Sequence, residues 1–293
     1  MLDKRHVDNA ISVDQLRQFN DLGWLLVPNA LSFDLVKKLE GLIDDIHANH
    51  IETGFDPYRQ APLDASDNFF YPDFLGKHQH FINLLDCPKT FPLVWGILGW
   101  NIYCYHSHFI ISPPQLSNNS SGLRSLGWHQ DSLRLNREVE GDPRPRFSIK
   151  VVFWLSDCSE PDRGNFYIVP GSHLSNKLKI PEDGNLPKEA IPVLAKAGDA
   201  VLFDRRLWHA RSENYSSITR KGLFYGYGYR WLRPKDEMTI PNNLMERNDP
   251  IRQQLLGESY DNNSRYGNIA GGRTYPPLKI WLDERGIKYP WDQ

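Results

Sequence analysis

The sequence predicts an all-β core of the jelly-roll or sandwich type with helices packed outside it, and three observations predict it. Five short runs rich in β-branched and aromatic residues follow one another: Ile102 to Ile111, Phe147 to Leu155, Asn165 to Val169, Ala200 to Phe203 and Leu223 to Trp231. No helix-length period interrupts them, whereas a parallel α/β sheet needs strand and helix to alternate. The chain also carries 21 Pro and 21 Gly, the punctuation that short strands joined by many turns require.

In order along the chain, Ser12 caps a helix whose apolar positions are Val13, Leu16 and Phe19. Gly23-Trp24-Leu25-Leu26-Val27-Pro28 then reads as a buried strand closed by proline. Ser32 caps a second helix, with Leu35, Val36, Leu39, Leu42, Ile43 and Ile46 forming one apolar stripe that packs on a core. Residues 51–90 lose periodicity, and Phe69, Phe70, Tyr71 and Phe74 sit among turn formers. A loop this long is read as surface packing or as part of a substrate lid. The β region spans 100–231, and Ser117 to Gly122 form a polar loop within it. Beyond 232 the chain turns polar, with a short helix from Pro250 to Leu255-Leu256-Gly257 and a tail expected to wrap the barrel. No repeat or linker divides the sequence, so residues 1–293 read as a single domain.

Composition narrows the function classes. With 34 basic against 36 acidic side chains, the net charge of −2 argues against indiscriminate nucleic-acid binding, so no nucleic-acid partner is expected. Cys87, Cys104 and Cys158 form an odd set without CxxC spacing, which suggests neither a disulfide framework nor a thiolate zinc site and fits a reducing, cytoplasmic setting. The start of the chain has no apolar leader, and its longest clean apolar run, Val151 to Leu155, is too short to span a bilayer. A soluble protein with no membrane partner is expected.

The ten histidines carry the chemistry. Three H-x-acid triplets occur, at His6/Asp8, His50/Glu52 and His129/Asp131, where composition alone predicts about one. Placement selects the third, because residues two apart on a strand share a face and can converge on one ion. His209, after a turn and a strand, can supply a third ligand at a barrel mouth. Two imidazoles and one carboxylate on one face suit non-haem Fe(II) and leave adjacent coordination positions open. A 2-oxo acid and O2 can fill those positions, which permits oxidative decarboxylation. The far carboxylate of 2-oxoglutarate then needs a fixed cationic fork, and Arg220, at the start of the last strand, is suited to it.

Trp128-His129-Gln130-Asp131, Gly164 through Pro170-Gly171-Ser172-His173, Ala197-Gly198-Asp199-Ala200, and His209 through Asn214 to Arg220 resemble the ordered motifs of the phytanoyl-CoA dioxygenase family. The likeness extends to Phe19, Gly23 to Pro28 and Leu31-Ser32, and so covers roughly residues 13 to 235. It implies a double-stranded β-helix of the cupin-like kind, Fe(II) held by His129, Asp131 and His209, 2-oxoglutarate anchored by Arg220, and Asn214 and Ser216 near the oxoglutarate end. The implied activity is hydroxylation of a small-molecule C–H bond with release of succinate and CO2. Retention of Asp131 argues against halogenation, since halogenating relatives carry a small residue there. Two departures stand out: Ala210-Arg211-Ser212 follows the distal His where many members have a small residue and then Ser, and Ser112 stands where many carry Lys.

Other residues receive blander assignments. His173 belongs to a Pro-Gly turn. His106 and His108 share a strand face, as a rival metal pair, as groups near oxoglutarate or substrate, or as satisfied strand residues. His78 and His80 read as surface or lid. Alternation turns Trp128 and Trp208 away from the ion and into the core. Arg124, Arg134, Arg137, Arg144, Arg146, Arg205, Arg206 and Arg211 crowd the chain around the ligands, as a mouth for an anionic substrate or as a mixed-charge loop. Arg124, Arg134, Arg211, His108 and Phe70 are the candidate substrate contacts. The residues alone leave a second reading open, a non-catalytic jelly-roll module that holds a metal or ligand.

Overall fold

The computed structural model describes residues 2–115, 126–182, 185–258 and 275–288. The N-terminal part comprises α1 (Lys4–Asp8), α2 (Val13–Leu22), β1 (Trp24–Val27) and α3 (Phe33–Thr53). Ser12 and Gln15 cap α2 reciprocally, Ser32 caps α3, and Gly23 and Gly54 end the two helices in the left-handed conformation. The next stretch holds a hairpin of β2 (Phe55–Asp56) and β3 (Ala61–Pro62), then β4 (Phe69–Pro72), α4 (Gln79–Ile82) and α5 (Phe91–Leu98). The β region contains β5 (Ile102–Ser112), α6 (Leu133–Glu138), β6 (Ser148–Trp154), β7 (Phe166–Ile168) and β8 (Ile191–Val193). It continues with β9 (Ala200–Asp204), β10 (His209–Arg211) and β11 (Arg220–Tyr229). Short helices α7 (Asn242–Met245), α8 (Pro250–Leu255) and α9 (Pro277–Asp283) follow. Among the described residues no helix is long and apolar enough to cross a membrane.

The strands form a six-stranded sheet in the order β1-β9-β6-β11-β5-β4 and a three-stranded sheet in the order β10-β7-β8, with every pairing antiparallel. Alternation sorts the side chains of the large sheet between two cores. Ile149, Val151, Phe153, Leu202, Leu223, Tyr225 and Tyr227 face the helices. Val152, Trp154, Val201, Phe203 and Phe224 face inward, where they meet Phe166 and Ile168 of the small sheet. Lys150 on β6, His108 on β5 and Arg220 on β11 share the inward parity, so this alternation brings polar groups into the space between the sheets.

Four local expectations change. The segment at 69–90 is not a loop: β4 pairs with β5, and Phe69, Phe74, Phe81, Ile82 and Leu85 are fully buried. Tyr225 and Tyr227 donate their hydroxyl hydrogens to Phe81 O and Leu85 O, at 2.9 and 2.8 Å, and so tie that segment to the sheet. Helix α5 had no visible period because nearly every residue in it is buried, and a helix buried all round shows no polar face. Helix α6 interrupts the strand series just after the H-x-D triplet. Finally, Trp128 and Trp208 are only half-buried and join neither core.

Candidate metal centre and its pocket

His129 lies in an isolated antiparallel bridge to His209 rather than in a strand. The two residues exchange both backbone hydrogen bonds at 3.0 Å, so one bridge fixes the two imidazoles side by side, with ring centroids 4.3 Å apart. Asp131, two residues on, is held by its N–H donating to Arg205 O at 2.9 Å. Each Nδ1 is 2.8 Å from a backbone carbonyl, Gly127 O for His129 and Leu207 O for His209. A carbonyl can only accept, so both Nδ1 atoms carry hydrogen and both Nε2 lone pairs are free to ligate. One ligand atom from each of His129, Asp131 and His209 lies within 4.8 Å of the others, and no second such group of three occurs among the described residues.

The ligand groups are held in the protonation states that metal binding requires. Burial pushes the Asp131 carboxyl up, but the charge of Lys150 outweighs it and holds the group ionised far below the usual range. Lys150 Nζ sits 2.9 Å from Asp131 Oδ2, while Oδ1 lies 3.9 Å from His209 Nε2. Burial depresses His209 to about 4, so its imidazole is neutral at physiological pH, the form a metal requires. Asp131 and His209 are shielded whereas His129 is exposed, which leaves the cluster open on that side.

The cluster borders a cavity of about 220 Å³ that Arg220 also lines. Arg220 is 2% exposed, its guanidinium lies 4.6 Å from the centre of the Trp154 ring, and its Nε and Nη1 have no hydrogen-bond partner among the described residues. Burial lowers its pKa to about 10, which still leaves it charged at neutral pH. A buried, unpaired cation is costly by several kcal/mol, and a planar fork with free donors is complementary to a carboxylate. Gly164 makes the approach possible: its φ of 67° suits glycine, and a Cβ there would lie 2.8 Å from Arg220 Cδ. The groups that border this cavity therefore fit a divalent metal at the His129–Asp131–His209 cluster and an anionic carboxylate at Arg220.

The remaining sequence candidates divide. Phe70, His108 and Arg211 line the cavity. Arg211 Nη1 donates to Asn68 Oδ1 and to Ser112 Oγ, each at 3.0 Å, and Ser112 is the Cα partner of Arg220. Asn214 does not line the cavity. Its amide donates to Ser112 O and Ile218 O, and its carbonyl accepts from Ser216, so Asn214 and Ser216 clip the loop before β11 beside Arg220. Arg134 is exposed, pairs with Glu138, and borders a neighbouring cleft that shares Lys235 with the cavity. Arg124 lies outside the described residues. The crowd of arginines is not all mouth: Arg206 and Arg146 pair with fully buried Asp204, and Arg205 donates to Asn136. His173 is structural, fully buried with Nε2 on Asn20 O at 3.0 Å.

Sequence reasoning missed Lys150, Lys235 and Asp236. Lys150 left a signal, as the one charged residue between Ile149 and Val151 in an otherwise apolar strand. Asp236 left none, because it reaches His106 from a chain 130 residues away.

A family model described as phytanoyl-CoA dioxygenase (PhyH) matches residues 19–222. The uncharacterized protein Rv1501 of Mycobacterium tuberculosis is 25% identical over 180 residues, covering 61% of this chain and 63% of that protein. The dioxygenase olcK of Penicillium canescens is 23% identical over 86% of this chain and 83% of its own, and the dioxygenase af480 of Aspergillus fumigatus is 29% identical over 84% and 77%. Among solved structures, HygX from Streptomyces hygroscopicus with nickel and 2-oxoglutarate bound aligns with a TM-score of 0.56 at 17% identity, over 77% of this chain and 90% of HygX. SnoK, a non-haem alpha-ketoglutarate-dependent carbocyclase, aligns with a TM-score of 0.56 at 18% identity, over 82% and 92%. The chain thus shares its fold with 2-oxoglutarate oxygenases, and it belongs to the phytanoyl-CoA dioxygenase (PhyH) family.

Proposed function

We propose that the protein is an Fe(II)- and 2-oxoglutarate-dependent dioxygenase, built on a double-stranded β-helix, that hydroxylates a C–H bond of a small molecule. The observation that carries this reading is that the His129–Asp131–His209 cluster and the unpaired, buried Arg220 border one cavity. Bound Fe(II), with 2-oxoglutarate and O2, supplies a two-electron oxidation coupled to decarboxylation of the oxo acid to succinate and CO2.

The chain's own residues do the rest. His129 and His209 offer Nε2, and Asp131 offers Oδ1 while Lys150 occupies Oδ2, a division that favours one-point ligation. Arg220 takes the far carboxylate of 2-oxoglutarate and sets its direction, with Trp154 and Gly164 keeping the guanidinium in place. Phe70, His108 and Arg211 border the remaining space, and Arg134 and Lys235 flank the adjoining cleft, where an anionic part of the substrate meets positive charge. A closed structural zinc site would need a fourth protein ligand, and the described residues gather only three. Succinate release over a panel of candidate substrates tests the reading. Asp131→Ala is expected to abolish product-coupled succinate formation, and full coupled turnover without that carboxylate would overturn the assignment.

A further inference from the structure

Three buried polar side chains, of which His106 and His108 line the cavity, form a line that the proposed metal and oxoglutarate contacts do not use. Asp236 Oδ1 lies 2.5 Å from His106 Nδ1, and His106 Nε2 lies 3.0 Å from His108 Nδ1. The line is rigid. Asp236 Oδ2 also accepts from Ser107 N–H at 2.6 Å and from Ser107 Oγ at 2.9 Å, and the Asp236 side chain is 3% exposed. The His108 ring stacks on Phe224 at 4.5 Å and 11°, with Phe70 4.8 Å away on another approach.

Donor and acceptor roles propagate along this line by necessity. A carboxylate that already receives two donors on Oδ2 can only accept at Oδ1, so His106 Nδ1 carries hydrogen. A neutral His106 then presents a lone pair at Nε2, which must be met by hydrogen on His108 Nδ1. A neutral His108 is left with its Nε2 lone pair as the acceptor in the cavity it lines. Neutrality fits the surroundings: burial, then the charges of Lys150, Lys235 and Arg220, hold His108 well below its ordinary pKa, and burial does the same for His106 against the pull of Asp236.

We propose that His108 Nε2 positions the substrate by accepting a hydrogen bond from one of its hydroxyl groups, with Asp236 and His106 as the positioning residues that fix this polarity. A neutral hydroxyl fits better than an ammonium, because Lys150, Lys235, Arg211 and Arg220 already line the cavity as cations. The aromatic walls, Phe70 and Phe224, would hold the carbon skeleton that carries the hydroxyl. The proposal deepens the oxygenase reading and rests on it for the word substrate. The tautomer and the donor preference are readable in the protein whether or not turnover occurs.

The test is 15N-detected NMR of the histidine rings in the full chain, loaded with diamagnetic Zn(II) and 2-oxoglutarate. Cyclohexanol serves as a donor probe and cyclohexanone as its acceptor-only counterpart. The expected result is His108 in the Nδ1–H form, a saturable shift of its Nε2 resonance with cyclohexanol, and about tenfold weaker binding of cyclohexanone, the size of one hydrogen bond. Asp236→Asn should erase the single tautomer, and His108→Phe, which keeps the stacking, should bind both probes alike. If either variant fails to fold, the wild-type arms decide alone. A His108 in the Nε2–H form, no Nε2 response to cyclohexanol, or equal binding of the two probes would overturn the proposal. Loss of the oxygenase reading itself would appear elsewhere, as failure to bind 2-oxoglutarate.

Discussion

Arg220 is buried against Trp154 with a charge that no carboxylate among the described residues meets, an arrangement that an anion in the cavity would complete. Two of its donors lack partners, and the described residues provide no carboxylate to neutralise it. Arg220→Gln should leave metal binding nearly unchanged while raising the KM for 2-oxoglutarate by roughly 30- to 1000-fold, the range that losing charge-assisted, bidentate contacts predicts. Steady-state kinetics with varied oxoglutarate read this directly, and an unchanged KM would remove Arg220 from the site. Asp204 makes the complementary case of a buried charge that is fully paired. Burial raises its carboxyl, but Arg206 and Arg146 more than compensate and bring it to about 2. A carboxyl depressed in the fold stabilises above its ordinary pKa of 3.8 and loses that contribution as pH falls toward 2, worth roughly 2 to 3 kcal/mol. Asp204→Asn should therefore lower Tm clearly at pH 7, and the gap to wild type should close between about pH 4 and pH 2. His129, Asp131, His209 and Arg220 were legible because each is a chemically distinctive residue at a motif spacing. The Asp236–His106 contact was not, since it joins two segments that only the fold brings together.

At the level of elements, the geometry of the candidate site depends on turns as much as on strands. Gly164 stands at the entry to β7, where its positive φ lets the backbone pass within contact distance of Arg220. Gly164→Ala is expected to cost about 1 to 3 kcal/mol in stability and to weaken 2-oxoglutarate binding, because the new methyl meets the Arg220 side chain in a backbone conformation unfavourable to alanine. Parallel thermal melts and oxoglutarate titrations check it, and an alanine variant with wild-type affinity would show that Arg220 has room to move. The strands of the large sheet were readable from β-branched and aromatic alternation. Helix α5 and strand β4 were not, for opposite reasons. The first is apolar on every side, and the second is a short edge strand ending in Pro72 amid residues that also favour turns. The bridge between His129 and His209 is similarly invisible in sequence. A single antiparallel pair leaves no period, yet it sets the spacing of both imidazoles.

For the molecule as a whole, the two cores divide the labour. The outer core joins the helices to the large sheet and carries most of the buried apolar side chains, which frees the inner face to hold Lys150, His106, His108 and Arg220 among aromatic walls. Composition could indicate such a lined cavity through its 14 Phe, 13 Tyr and 9 Trp, but it could not say which rings face the site. In the proposed function one cavity binds Fe(II) through His129, Asp131 and His209 and 2-oxoglutarate through Arg220. The most direct measurement is the visible absorption of the protein under anaerobic conditions on addition of Fe(II) and then 2-oxoglutarate. A metal-to-ligand charge-transfer band that needs both additions and is lost in Asp131→Ala is expected, and a wild-type spectrum without any such band would rule out joint binding of Fe(II) and 2-oxoglutarate in this cavity.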